Sequence, residues 1–364
     1  MDPSNGIQMT ISQADAKAAI QSIFSSTSCY DLMQNSSKAL VFEAQIPFQL
    51  AFYALIEHGK CHSLGYPRAS RMNAPALIPS PLPPPSHTLS LRSETDVAPI
   101  WDAERNVFVA LMTIADYVRA LLVCHRQNIS MLDLSTRSIA DMLCSPLIQY
   151  QHSDFHAVDA EDSVQQLCLQ LTRLTADYVP IVDPDAGSLV GVLGYLDVVH
   201  LLDQAAKQHP NLFFETLEQM RIGTFGDRVV TAPLTTQLPD ILTALSSHEV
   251  SGIPIVDSSN RVVGLYHKTD VTFITKATEP DSVLTNLAVY TVGDVLVSQQ
   301  AQVQTGEQPA GPTQVLVTCN LTDRIDVVLA AMMSGRSTRI VCIDSVGTCS
   351  GVISVKDIML YYLG

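Results

Sequence analysis

The sequence predicts an α/β (α+β) architecture of four tandem repeats, on two observations. A short apolar strand ending in Asp recurs four times, as AlaProIleTrpAsp at 98–102, ValProIleValAsp at 179–183, IleProIleValAsp at 253–257 and IleValCysIleAsp at 340–344. Each is followed by a turn, a second apolar strand and a carboxylate on the first turn of a helix: Asp116, Asp197, Asp270 and Asp357. Self-similarity of this kind marks one supersecondary unit used repeatedly, each copy covering its apolar face with a neighbour.

Upstream of each strand pair the apolar residues switch to helical spacing. Phe48, Phe52, Leu55 and Ile56 do so in the first copy, and Val164, Leu167, Leu171 and Leu174 in the second. Ile241, Leu242 and Leu245 follow in the third, and Val327, Val328, Ala331 and Met332 in the fourth. A further helix follows each second strand, as in TyrValArgAlaLeuLeuVal at 117–123 and ValValHisLeuLeuAsp at 198–203. The unit is helix, strand, strand, helix, too small to be very stable alone, so pairing is expected. The repeats are placed at 25–126, 137–207, 220–280 and 290–364, behind an N-terminal tail at 1–24.

Two stretches break the regularity. An insertion at about 60–97 carries ProSerProLeuProProProSer at 79–86, which cannot continue a helix or a central strand and reads as a surface loop. The segment at 297–312 is Gln-rich and is expected to be a mobile loop between the third and fourth units.

Composition bounds the function. The 364 residues have room for roughly two or three ordinary domains, and 47% hydrophobic content gives each a core. A net charge of −15 argues against nucleic-acid binding, which needs a basic face. Anionic ligands must then be held by local groups. The eight Cys residues form no Cys-x-x-Cys pair and are expected to be mostly buried, reduced thiols. No window reaches the length of about 18 apolar residues that a membrane span needs, and the first residues lack the pattern of a signal peptide. The expected location is cytoplasmic, with a nuclear one also open. No Ser or Cys is placed with a base and an orienting acid, so the chain is not read as an enzyme.

The end of each second strand carries the chemistry. Thr113 and Asp116 in the first copy, and Ser354 and Asp357 in the fourth, set a hydroxyl and a carboxylate three residues apart at a strand-to-helix junction, beside free backbone N–H groups. Such a carboxylate can accept both hydroxyls of a ribose, while the hydroxyl and the helix start face a sugar or phosphate. The same pair also serves as an N-cap and a dipole-aligned acid, and both roles stay open. Gly194 and His267 occupy the hydroxyl position in the second and third copies.

At these residues the chain resembles the cystathionine-β-synthase (CBS) domain family, and in particular the gamma regulatory subunits of AMP-activated protein kinases. The resemblance rests on CysTyrAspLeuMetGlnAsnSerSerLysAlaLeuValPhe at 29–42, AlaProIleTrpAsp at 98–102, LeuMetThrIleAlaAsp at 111–116, LeuGluGlnMetArgIleGlyThrPhe at 217–225 and ValSerGlyIleProIleValAsp at 250–257. It implies four CBS repeats forming two CBS pairs in a pseudo-symmetric disc. It further implies a heterotrimer with a kinase catalytic alpha subunit and a scaffolding beta subunit, and AMP, ADP and ATP as regulatory ligands, with no metal or redox cofactor. Carried over by residue, Thr113 and Asp116 serve one cleft. Thr224, Val250, Ser251 and Asp270 line another, with Asp270 on the ribose and the backbone near Val250 on the adenine. Arg339, Ser354 and Asp357 form the fourth-repeat site, and Asp197 is a ribose contact or a capping acid. Lys268, Arg221 and Arg228 are further cations that reach a phosphate or stand as solvated surface charges.

The chain departs from that pattern where the family approaches phosphates with basic residues. Asp96, Asp177 and Tyr178 stand near such positions, as do Glu249 after His248, Leu196, and the uncharged stretch 297–302; only the fourth repeat keeps a cation, Arg339. A charge-assisted hydrogen bond to phosphate contributes roughly 1.5–3 kcal/mol, so several such losses weaken binding by orders of magnitude. Two functions therefore remain: a nucleotide-binding regulatory subunit with its working site in the fourth repeat, or an assembly subunit that has lost most sensing. An enzyme or transporter with an appended CBS pair would need a domain for which the length leaves no room.

Overall fold

The computed structural model describes residues 11–33, 40–61, 97–145, 155–174, 177–183, 185, 187–276, 280–305 and 316–364. The proline-rich stretch at 79–86 lies outside them. The first described elements are helices α1 (Gln13–Ser26) and α2 (Cys29–Leu32), ahead of the first repeat: β1 (Phe42–Glu43), α3 (Phe48–Cys61), β2 (Val97–Asp102), β3 (Val107–Thr113) and α4 (Ile114–Gln127). Short helices α5 (Met131–Ser135) and α6 (Ile139–Leu143) lead to the second: β4 (Val158–Asp159), α7 (Val164–Arg173), β5 (Tyr178–Asp183), β6 (Ser188–Gly194) and α8 (Tyr195–Gln208). After α9 (Leu217–Met220) and β7 (Thr224–Phe225), the third comprises β8 (Ala232–Pro233), α10 (Leu238–Ser247), β9 (Gly252–Val256), β10 (Val262–His267) and a 3-10 stretch, Lys268–Lys276. Helices α11 (Pro280–Val289) and α12 (Val292–Thr305) precede the fourth: β11 (Thr318–Cys319), α13 (Ile325–Ser334), β12 (Arg339–Ile343), β13 (Cys349–Ser354) and α14 (Val355–Leu363).

Every repeat builds the same sheet. A two-residue strand pairs parallel with the first long strand, which pairs antiparallel with the second. The Asp that ends each first long strand has a local cause. Its Oδ1 accepts backbone N–H groups of the turn: Glu104 and Arg105 to Asp102, Asp185 to Asp183, Ser259 and Arg261 to Asp257, and Val346 and Thr348 to Asp344, all at 2.8–3.1 Å. This is the side-chain turn closure for which Asp is favoured between strands.

Among the described residues two hydrophobic cores form, and each joins repeats that are not consecutive. One gathers Phe48, Phe52 and Tyr117 of the first repeat with Leu238, Ile253 and Tyr266 of the third. The other gathers Val164, Leu171 and Val198 of the second with Val328, Met332 and Ile358 of the fourth. Consecutive repeats are tied instead by exchange of their lead-in segments. Cys29 and Tyr30 donate their N–H groups to Asp162 and Ala160 of the second repeat, whereas Ile139 and Ala140 donate back to Ile46 and Ala44 of the first. The same exchange recurs between Leu217 and Glu218 and the fourth repeat's Asp323 and Leu321, and between Val292 and Gly293 and the third repeat's Thr236 and Leu234.

Three expectations are corrected. Residues 13–24 are not a tail: α1 buries Ala16, Ile20 and Phe24, the last two in the second core, driven by the area those side chains remove from water. The Gln-rich segment is helical through Thr305, as part of α12, and its remainder at 306–312 lies outside the described residues. Val327 is 55% exposed; α13 turns Ile325, Val328, Leu329 and Met332 inward instead. Among the described residues no helix is long and apolar enough to cross a membrane.

Candidate functional site

The repeated carboxylates share one local role. In each repeat Oδ2 accepts the backbone N–H three residues earlier: Thr113 to Asp116 at 2.7 Å, Gly194 to Asp197 at 2.7 Å, His267 to Asp270 at 2.7 Å and Ser354 to Asp357 at 2.8 Å. Capping is thus common to all four, and the oxygen it leaves unused is the one freest to meet a ligand. In the first repeat that oxygen is engaged, because Arg119 Nη2 lies 2.9 Å from Asp116 Oδ1 in a site where the carboxylate is buried. In the fourth repeat Ser354 Oγ also donates to Asp357 Oδ2 at 2.7 Å, and among the described residues Asp357 forms no ion pair.

The strand pairs end on a position whose occupants differ from repeat to repeat. The facing residues are Val97 and Thr113, Tyr178 and Gly194, Gly252 and His267, and Arg339 and Ser354. In the second and third repeats a ring is matched with a glycine. A Cβ on Gly194 would stand 2.5 Å from Tyr178 Cδ1, so the tyrosine ring fills the place where the first and fourth repeats hold a hydroxyl. A Cβ on Gly252 would lie 3.4 Å from Arg339 Cδ, an ordinary van der Waals distance, so the arginine stem crosses close beside the third repeat's backbone.

That crossing assembles a charged cluster from three repeats. Arg339, 8% exposed, donates from Nη1 to Thr338 Oγ1 at 2.8 Å and meets His267 Nε2 at 3.0 Å. Because a guanidinium only donates, Nε2 must accept; this assigns the proton to Nδ1, which then donates to Thr269 Oγ1 at 2.8 Å in preference to accepting the Thr269 N–H at 3.3 Å. Burial, reinforced by Arg339 and Lys268, holds the imidazole well below its ordinary value and keeps it neutral. Lys268 Nζ reaches Asp177 Oδ2 of the second repeat at 2.9 Å, and both side chains are about four-fifths buried, at 20% and 21% exposure. Burial alone would raise the Asp177 carboxyl; Lys268 and Arg339 outweigh it and hold the group at about 2. Tyr195 of the second repeat lies within electrostatic range of Asp177, Arg339 and Asp357.

Against the sequence expectations, Arg339 and Ser354 are directly opposed in the ladder, and Asp357 follows one helical turn later. The backbone thus sets all three at one end of a single hairpin. Thr224, grouped by resemblance with the third repeat, is exposed on β7 and pairs with Val352 of the fourth repeat's sheet. Val250 is exposed and Ser251 half-buried on the turn after α10, and the Ser251 carbonyl accepts Lys268 N–H at 3.1 Å. Arg221 and Arg228 are exposed, whereas Lys268 is held in an inter-repeat ion pair and is not a solvated charge. Sequence reasoning noted Asp177 as a lost cation but missed its pairing. A carboxylate and a lysine near the strand-pair ends of different repeats were the available signal.

Asp197 differs from its three counterparts. Half-buried, with no hydroxyl beside it, its carboxyl is pushed up by burial to about 6, against the lowering effect of the Gly194 N–H. The folded state therefore keeps this proton at a pH where the unfolded chain, at about 3.9, has released it. Ionised Asp197 opposes folding above pH 6, and that penalty fades as the pH falls towards 4. Asp197→Asn is expected to stabilise the protein by about 1–2 kcal/mol at pH 8, with the gain lost progressively as the pH falls from about 6 to about 4, in urea denaturation followed against pH.

Comparison with known proteins bears on this arrangement. Residues 225–274 match the model of the CBS domain. The third repeat thus carries a CBS domain. Over 92% of its length the chain is 27% identical to the gamma subunit of 5'-AMP-activated protein kinase from Dictyostelium discoideum, covering 51% of that relative. It is 23% identical to the human gamma-3 subunit over 91% of its length, covering 58% of that protein. The chain thus spans just over half the length of the curated relatives it matches. A crystal structure from Methanocaldococcus jannaschii, described as that of a suggested archaeal homologue of gamma-AMPK, superposes with a TM-score of 0.64 at 12% identity, over 92% of this chain and 100% of that one. That likeness shows the fold: tandem repeats of the strand-helix-strand-strand-helix unit described above.

Proposed function

We propose that this CBS-repeat chain is the regulatory, gamma-type component of an AMP-activated protein kinase complex and binds AMP, ADP or ATP in its fourth repeat. The observation that carries the reading is the meeting of Arg339, Ser354 and Asp357: a buried cation directly opposite a hydroxyl, with a carboxylate on the first turn of a helix. Asp357 Oδ1 would accept a ribose hydroxyl, Ser354 and the N-terminus of α14 would face the sugar–phosphate link, and Arg339 would meet the phosphate. The first repeat is a poorer candidate because Arg119 engages its carboxylate. The names of the relatives, kinase gamma subunits, support catalytic alpha and scaffolding beta subunits as partners.

Calorimetry of the purified chain with AMP, ADP and ATP tests the site. Ser354→Ala is expected to weaken binding roughly threefold to tenfold, and Asp357→Asn tenfold or more, since Asn keeps the cap through its amide oxygen but loses a charged acceptor. Absence of heat for all three nucleotides at millimolar concentration would sink the nucleotide reading. The second reading, an assembly subunit without sensing, is favoured by the internal Asp177–Lys268 pair, which already neutralises one of the cluster's cations. Co-purification from the source cell tests the kinase partnership: recovery of no kinase catalytic subunit counts against it.

A further inference from the structure

We propose that Asp177 acts as a built-in substitute for phosphate: its carboxylate, lent by the second repeat, occupies the anion position among Lys268, Arg339 and His267, and sets how much anionic charge the neighbouring fourth-repeat cleft can accept. The inference rests on the nucleotide reading above and adds a determinant that lies outside that cleft's own repeat.

The geometry supports this in three steps. Lys268 belongs to the third repeat and Arg339 to the fourth, yet the carboxylate that pairs with Lys268 at 2.9 Å and lies within electrostatic range of Arg339 comes from the second. The remaining neighbour, His267, presents a lone pair to Arg339 and adds no positive charge. Lys268 thus pairs directly with the carboxylate while Arg339 lies within reach of its field, in a site largely withdrawn from water, where like and unlike charges interact more strongly than at the surface. A nucleotide phosphate arriving at Arg339 meets an arginine whose field is already partly compensated, and it is repelled by the same carboxylate.

The effect must scale with ligand charge. In calorimetry of the full chain, Asp177→Asn is expected to tighten ATP binding at least thirtyfold, AMP binding at least fivefold, and adenosine binding not at all. Adding Lys268→Met to Asp177→Asn is expected to remove most of the gain. Asn retains an amide oxygen for Lys268, so the fold should survive, as checked by thermal unfolding; Asp177→Ser, which also lacks the charge, serves if it does not. If wild type binds nucleotides and Asp177→Asn changes none of them by more than twofold, this inference is overturned while the nucleotide reading stands. Equal gains for adenosine and ATP would overturn it as well. If neither wild type nor the variants bind any nucleotide, both readings fall together.

Discussion

Replacing Arg339 with Ala is expected to weaken AMP and ATP binding about a hundredfold and to lower stability by about 2–3 kcal/mol. A hundredfold corresponds to about 2.7 kcal/mol, within the roughly 1.5–3 kcal/mol that one charge-assisted hydrogen bond contributes. The stability loss has a separate origin. Arg339 supplies the donor to His267 Nε2 and to Thr338 Oγ1, and its stem packs over Gly252. Truncation leaves an unpaired buried acceptor and a void between the third and fourth repeats. The loss stays below the roughly 3–5 kcal/mol expected for a broken buried ion pair because Asp177 keeps Lys268. Arg339→Lys keeps the charge but not the planar fork, so it should retain part of the affinity and recover little of the stability. Affinity of Arg339→Ala within threefold of wild type would place the phosphate elsewhere.

Gly194→Thr is expected to destabilise the protein by about 3 kcal/mol, although it restores the hydroxyl that the first repeat carries at this position. The cause is the residue opposite. A Cβ at position 194 would stand 2.5 Å from Tyr178 Cδ1 and 2.9 Å from the Asp177 carbonyl oxygen, so the ring must move and the chain at Asp177 must give way as well. Movement of Asp177 strains its contact with Lys268, which spreads the cost to the third repeat. The first repeat shows the compatible combination, Val97 facing Thr113. Accordingly the double variant Gly194→Thr with Tyr178→Val should be more stable than Gly194→Thr alone, a positive coupling measurable in a double-mutant cycle by urea denaturation. Additive losses would contradict the account of paired sizes at the ladder end.

The strand pairs and their carboxylates were legible because both are local. Each first strand is an apolar run closed by an Asp whose side chain makes the turn, and each Asp on the following helix turn caps it through the preceding backbone. Arg339, Ser354 and Asp357 were found together for the same reason: they sit at one end of a single hairpin. What escaped was set by contacts between repeats. The two-residue strands β1, β4, β8 and β11 are too short to show a period, and they exist because a long strand offers them an edge. Residues 13–24 looked like a tail because the repeats that bury Ile20 and Phe24 begin more than a hundred residues later. From sequence Lys268 is either a phosphate contact or a surface charge, because its partner, Asp177, belongs to another repeat. In the fourth repeat's helix, Val327 followed the apolar spacing, yet burial falls on the neighbouring stripe of Ile325, Val328, Leu329 and Met332.

Placement of the nucleotide itself is the most direct test of the central claim, that the fourth repeat holds the working cleft. A crystal structure of the chain grown with AMP is predicted to show the ribose on Asp357, with Ser354 and the start of α14 beside the sugar–phosphate link and the phosphate within hydrogen-bonding distance of Arg339. AMP bound only in another repeat's cleft, or no bound nucleotide at saturating concentration, would contradict it.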